Sequence, residues 1–86
     1  MEIEFDPAKD AINRAKHGLS LADAAAFELR SAVVEVDRRV DYGEVRYRAF
    51  GRIDGQGRCL VFALSANSIR AISYRRAHDK EMRRYE

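Results

Sequence analysis

The chain has one cysteine among its 86 residues, no apolar run long enough to span a membrane, and no repeat, linker or low-complexity stretch. A lone thiol builds neither a disulfide framework nor, by itself, a thiolate metal site. Cys59 stands in the run Cys59-Leu60-Val61-Phe62 and reads as a buried, inert side chain. The start, Met1-Glu2-Ile3-Glu4-Phe5-Asp6, has neither the positive charge nor the apolar stretch of a secretory signal, so a cytoplasmic location is expected. No His-Glu-x-x-His, cysteine pair or metal-spaced acidic cluster occurs either, which makes a metal-dependent nuclease the weaker class. With 47% apolar and 35% charged residues, a single domain over residues 1–86 with one modest core is expected.

What the chain does have is charge, unevenly spread. Residues 1–37 hold four Lys or Arg against eight Asp or Glu, whereas residues 38–86 hold twelve against six. The net charge of +2 therefore joins a −4 segment to a +6 segment. Such a division bears on partners more than the total does, and it makes the C-terminal part the expected anion-binding part.

Glu2-Ile3-Glu4-Phe5 alternates polar and apolar residues as a half-buried strand does, and Asp6-Pro7 supplies a helix cap with proline at the first helical position. In the helix after it, Ala8, Ala11, Ile12 and Ala15 form one apolar stripe, by that pattern the face turned to the core. Gly18 stops it. Ser20-Leu21-Ala22-Asp23 resembles a capping box with Asp for Glu, so a second short, alanine-rich helix is expected to about Leu29. Ala32 to Asp37 reads as a strand ending in the charged turn Asp37-Arg38-Arg39. From Glu44 to Ile53 the period is two: Val45, Tyr47, Ala49 and Ile53 take one face, and Glu44, Arg46, Arg48, Phe50 and Arg52 the other. Asp54-Gly55-Gln56-Gly57 then reads as a hairpin loop, and Cys59 to Leu64 as the most buried strand. A turn at Ala66-Asn67-Ser68, a last strand from Ile69 to Arg76, and a basic helix from His78 to Tyr85 complete the chain.

This order predicts an α+β fold in which two N-terminal helices pack on one face of a mostly antiparallel sheet that is followed by a C-terminal helix. The opposite face, left partly open, would display Arg46, Arg48, Phe50 and Arg52, with arginines of the last strand beside them. Basic side chains interleaved with an aromatic suit RNA, whose phosphates take guanidinium groups and whose unstacked bases stack on rings.

Phe5-Asp6-Pro7-Ala8-Lys9, Lys16-His17-Gly18 with Ser20, Glu44-x-Arg46-Tyr47, and Ile72-Ser73-x-Arg75-Arg76-Ala77 before a basic helix succeed one another along almost the whole chain. The set resembles the BrnT toxins of prokaryotic type II toxin–antitoxin systems. The resemblance implies a RelE-like fold and an endoribonuclease that cleaves RNA and inhibits translation, without a cofactor. It also implies neutralisation by a DNA-binding BrnA-like antitoxin, with a toxin dimer within the complex. The chain departs from the family pattern at Ser65-Ala66-Asn67, where Thr-x-Arg is frequent, and at His78, where Ser or Thr usually caps the last helix.

RNA is cut without metal when a base takes the 2′-OH proton, cations stabilise the phosphorane, and an acid protonates the leaving 5′ oxygen. His17 is the first proton-transfer candidate, since histidine alone titrates near neutrality unperturbed. The plainer role for it is a helix-terminal histidine that satisfies the last carbonyls. Glu44 is the second, a base toward the 2′-OH with Arg46 holding the phosphate; its plainer role is a cross-strand ion pair. Arg46, Arg48, Arg75 and Arg76 are the expected phosphate-gripping cations. Arg75 and Arg76 are neighbours on a strand, so at most one is expected at the scissile phosphate unless the strand ends or bulges. Lys16, Arg48, Phe50, Arg52, Arg83 and Arg84 complete the expected RNA-binding set, although a solvated basic helix end explains Arg83, Arg84 and Tyr85 equally well. The rival reading is a non-catalytic nucleic-acid-binding module that uses the same surface.

Overall fold

Asp6, two residues past the end of the first strand, starts the first helix. In the structure, a computed structural model that describes residues 2–85, strand β1 (Glu2–Glu4) runs straight into helix α1 (Pro7–His17). The Asp6 carboxylate accepts the Ala8 N–H at 2.9 Å, Pro7 fills the first turn where its missing N–H costs nothing, and Gly18 closes the helix at φ 72°.

The face that α1 buries is the reverse of the expected one. Ala8, Ala11, Ile12 and Ala15 are all exposed, and Asn13 is the buried residue of the helix. The reason lies in the edge of the sheet. Strand β1 pairs in parallel with β5 (Ser68–Arg76) only from Ser68 to Arg70, which leaves the rest of that edge without a strand partner. Asn13 fills part of the gap: its amide oxygen accepts the Tyr74 N–H at 3.0 Å, and its NH₂ donates to the Tyr74 carbonyl at 2.9 Å and to the Leu19 carbonyl at 2.7 Å. One turn earlier, Asp10 accepts the Ser20 hydroxyl at 2.9 Å and the Leu21 N–H at 2.7 Å. Satisfying buried backbone groups decides the orientation, because alanines bring little area to bury. Asn13→Ala is expected to cost about 2–3 kcal/mol through the groups it strands and to lower the Tm by roughly 10 °C or more; an unchanged melting curve would contradict this role.

The Ser20 capping box forms, with Ser20 accepting the Ala22 N–H and Asp23 accepting the Ser20 N–H, both at 3.1 Å. What it starts is a 3₁₀ turn over Leu21–Ala26, followed by a second over Leu29–Ser31, in place of the expected second α-helix. Leu21, Ala24 and Phe27, spaced by three, are 0%, 1% and 7% exposed, which is the period of a 3₁₀ helix and explains the tighter winding.

Strands β2 (Val33–Val36), β3 (Tyr47–Ile53), β4 (Gln56–Leu64) and β5 form an antiparallel run, and with β1 make a five-stranded mixed sheet ordered β1-β5-β4-β3-β2. The β3–β4 hairpin closes on two left-handed residues, Asp54 at φ 50° and Gly55 at φ 78°. Alternation divides β3 and β4 between two cores. Leu21, Ala24 and Phe27 cover Ala49, Leu60, Phe62, Ala71 and Tyr74 on one face. On the other, Phe50, Cys59 and Val61 pack beneath Met82 of the terminal helix α2 (Asp79–Tyr85). That second face is therefore less open than the sequence predicts. Gly57 permits the packing, since a Cβ there would sit 2.5 Å from Met82 Cγ. Cys59 is buried in this second core, and burial pushes its thiol pKa up.

Strand β5 is interrupted by a bulge. Val61 stands opposite Ser73 and Phe62 opposite Ala71, so Ile72 is the extra residue. Ala71 and Tyr74 can then both face the first core at a spacing of three, and Ile72, Ser73 and Arg75 come together on the other side.

Candidate functional site

Beside the second core, the sheet carries a depression of about 250 Å³ into which cations converge. Lys16 and His17 reach it from the last turn of α1, and Ser73 and Arg75 from β5 beyond the bulge. Arg39, Tyr42 and Arg46 enter from the stretch between β2 and β3, over a floor of Val61 and Ile72. An adjoining recess of about 500 Å³ shares Lys16, His17 and Arg75 and adds Arg76, His78 and Glu81.

Each arginine of the depression is held by one carboxylate. The Asp37 side chain, 0% exposed, accepts from Arg39 Nε at 2.8 Å and Nη2 at 2.7 Å, and also from the Tyr42 hydroxyl at 3.2 Å. The Arg39 hydrogen bonds hold the Asp37 carboxyl far below the usual carboxylate range, against the opposing effect of burial. Since Asp37 occupies one edge of the guanidinium, Nη1 remains for a second anion on a side chain that is 52% exposed. Arg46 lays its guanidinium over the Tyr42 ring at 4.2 Å and donates Nε to Glu44 at 3.1 Å. Arg75 forms a bidentate pair with Glu81, both contacts at 2.9 Å. That pairing, together with the His78 N–H donated to Glu81 at 2.9 Å, lowers the Glu81 pKa to about 2. Glu81 thus reaches back to the residue before α2, and His78 occupies the cap position.

His17 is the group of the depression suited to proton transfer. Its pKa falls below 6.5, first from partial burial, then from the charges of Lys16 and Arg75. These effects all favour the neutral imidazole, the form able to accept a proton.

The expected residues divide sharply. Lys16, His17, Arg46 and Arg75 line the depression, and Arg76 lines the adjoining recess. Glu44 takes the ion-pair role, accepting from Arg46 and, at 2.6 Å, from Arg70; the Arg46 hydrogen bond is the main reason its pKa is lowered, which disfavours it as a base. Arg48 pairs with Glu35 on β2. Phe50 is 2% exposed and stacks on Tyr85 at 4.2 Å, so its ring offers no open face to a base. Arg52 binds the Gly55 carbonyl at the hairpin end, and Arg83 and Arg84 are exposed in the last turn of α2. The comb of arginines on β3 is therefore dismantled by local pairing and by α2. Arg39, Tyr42 and Ser73 are the lining residues that sequence reasoning missed. The available signal was Asp37 two residues before Arg39, a spacing read only as a charged turn.

Among the described residues, no three His, Cys, Asp or Glu side chains gather as a metal site would require, and no helix is long and apolar enough to cross a membrane. Fold and site together define a small α+β protein with a histidine set among arginines and lysine in a cationic depression. The crystal structure of the Brucella abortus ribonuclease toxin BrnT is similar to it, with a TM-score of 0.72 and 30% identity over 92% of this chain and 99% of that one. The family model for the ribonuclease toxin BrnT of type II toxin–antitoxin systems matches residues 5–81, and the chain belongs to that family. No curated protein sequence matches it.

Proposed function

We propose that this ribonuclease toxin cuts RNA without metal at the depression formed by α1, β5 and the stretch between β2 and β3, and thereby inhibits translation. The observation that carries the reading is His17 lining one depression with Lys16, Arg39, Arg46 and Arg75, where partial burial, Lys16 and Arg75 disfavour its charged form. His17 takes the 2′-OH proton, the 2′ oxygen attacks phosphorus, and the bond to the 5′ oxygen breaks. The free guanidinium edges meet the charge that builds on the phosphorane, and Lys16, which lines the depression, returns a proton to the leaving oxygen. The products are a 2′,3′-cyclic phosphate and a 5′-hydroxyl.

The partner that silences the toxin is, on this reading, a BrnA-like antitoxin, and the fold is a relative of RelE-type ribonucleases. Dimerisation within the complex would use the outer edge of β2, where Val33, Val34 and Val36 are 42%, 44% and 38% exposed.

The decisive experiment incubates the protein with labelled RNA in excess EDTA and maps the ends. Cyclic phosphate termini, absent when the 2′-OH at the cut is removed, are expected. Cleavage abolished by EDTA and restored by a divalent ion would overturn metal independence, and RNA bound but left intact would favour the binding module. Expression alone should arrest growth, with relief on co-expression of the antitoxin.

A further inference from the structure

A groove leaves the depression and runs along α1 toward its start. It shares Lys16, His17, Ile72 and Ser73 with the depression and adds Lys9, Ile12 and Asn13. Its volume of about 260 Å³ falls just below the roughly 300 Å³ at which sites for drug-sized ligands begin, room for one nucleotide unit rather than several. Asn13 is committed to Tyr74 and Leu19, so the groove itself adds Lys9 and Ile12 to the shared Lys16 and Ile72. Ile12 is 65% exposed, and Ile72 is half-buried in the bulge. Lys9 and Lys16 stand two turns apart, on the same side of α1. Beyond Lys9 a smaller recess continues to Arg70, with Asp6 as its one acidic group.

Apolar surface between two ammonium groups matches the repeat of a single-stranded nucleic acid, in which flat bases alternate with phosphates. The surplus of positive charge and the opening into the cleavage depression favour RNA over a protein segment as the occupant. We propose that this groove, resting on the reading of the depression as an RNA-cleaving site, is a nucleotide subsite flanking the scissile phosphate. Ile12 and Ile72 contact one base, and Lys9 and Lys16 neutralise the phosphates on either side of it.

Ile12→Glu and Lys9→Glu test the proposal at exposed positions, with melting curves confirming the fold. Two measurements are made: cleavage of a dinucleotide against a pentanucleotide, and binding of a labelled all-2′-deoxy pentanucleotide that cannot be cut. The wild-type protein should prefer the longer substrate by about tenfold in kcat/KM, and each variant should lose most of that preference and bind the deoxy strand about tenfold more weakly. The dinucleotide rate monitors the depression itself. Equal binding and equal length preference in wild type and variants would overturn the subsite. So would variants that bind RNA normally and instead escape neutralisation by the antitoxin, which would assign the surface to a protein. Should the wild-type protein cut neither substrate, the cleavage reading fails by itself, and the binding ratio still decides the subsite.

Discussion

Replacing His17 with glutamine is expected to lower the cleavage rate constant by about 10²–10⁴-fold, the usual contribution of a positioned general base. Glutamine keeps a polar side chain at the helix end but cannot take up the 2′-OH proton. The pH dependence separates this role from a structural one. Burial and the neighbouring Lys16 and Arg75 all disfavour the imidazolium, so the wild-type rate should rise with pH and level off below 6.5, earlier than an ordinary histidine allows. The residual activity of the variant should lack that limb. Stability has the same sign: the neutral imidazole favours the fold above 6.5, and its contribution is lost as pH falls and the unfolded chain takes up the proton. A variant as active as the wild type, or a limb centred above 6.5, would remove His17 from the chemistry.

The second large effect is expected at Asp37, which touches no substrate in this reading. Its carboxylate fixes the Arg39 guanidinium by two hydrogen bonds, accepts the Arg39 backbone N–H at 3.2 Å and holds the Tyr42 hydroxyl, and Tyr42 in turn carries the stacked Arg46. Asp37→Asn preserves the shape and removes the charge, so both arginines lose their fixed approach to the phosphate. The loss expected in kcat is about 10²-fold, with KM changing less, because orientation matters most where charge builds up. Stability should fall by about 2 kcal/mol, less than the 3–5 kcal/mol for breaking a fully buried pair, since the Arg39 side chain is 52% exposed and regains water. The wild-type contribution of this pair is full above the ordinary aspartate value of 3.8 and decays as pH falls from there. The asparagine variant should therefore show a flatter acid limb in a melting series. Kinetics unchanged after the substitution would show that Arg39 and Arg46 need no such anchor.

The elements legible in the sequence are those whose hydrogen bonds close within a few residues. Asp6-Pro7 and Gly18 bound α1 and Ser20 and Asp23 start the next turn in the expected places, and the hairpin expected over Asp54-Gly55-Gln56-Gly57 closes within its first two residues, with Gln56 and Gly57 already paired in β4. The division of β3 into two faces also reads correctly, because side-chain alternation is a property of any extended strand. Among candidate site residues, Lys16, His17, Arg46 and Arg75 were visible as basic side chains near element ends. Their carboxylate partners, and hence which guanidinium edges stay free, were not. Phe50 shows the limit most plainly, since an aromatic among arginines reads as a stacking platform until Tyr85 is found covering it.

By itself the sequence determined the caps, the hairpin, the two faces of β3 and the concentration of arginine in the C-terminal part, because turns, caps and strand alternation are local physics. Tertiary structure alone decided which side of α1 is buried, that β5 bulges at Ile72, and that Asp37 binds Tyr42 and sets it beneath Arg46. The physical reason is that these outcomes hinge on backbone groups left unpaired at a sheet edge and on charges competing for one another. Neither competition is resolved until strands distant in sequence lie side by side.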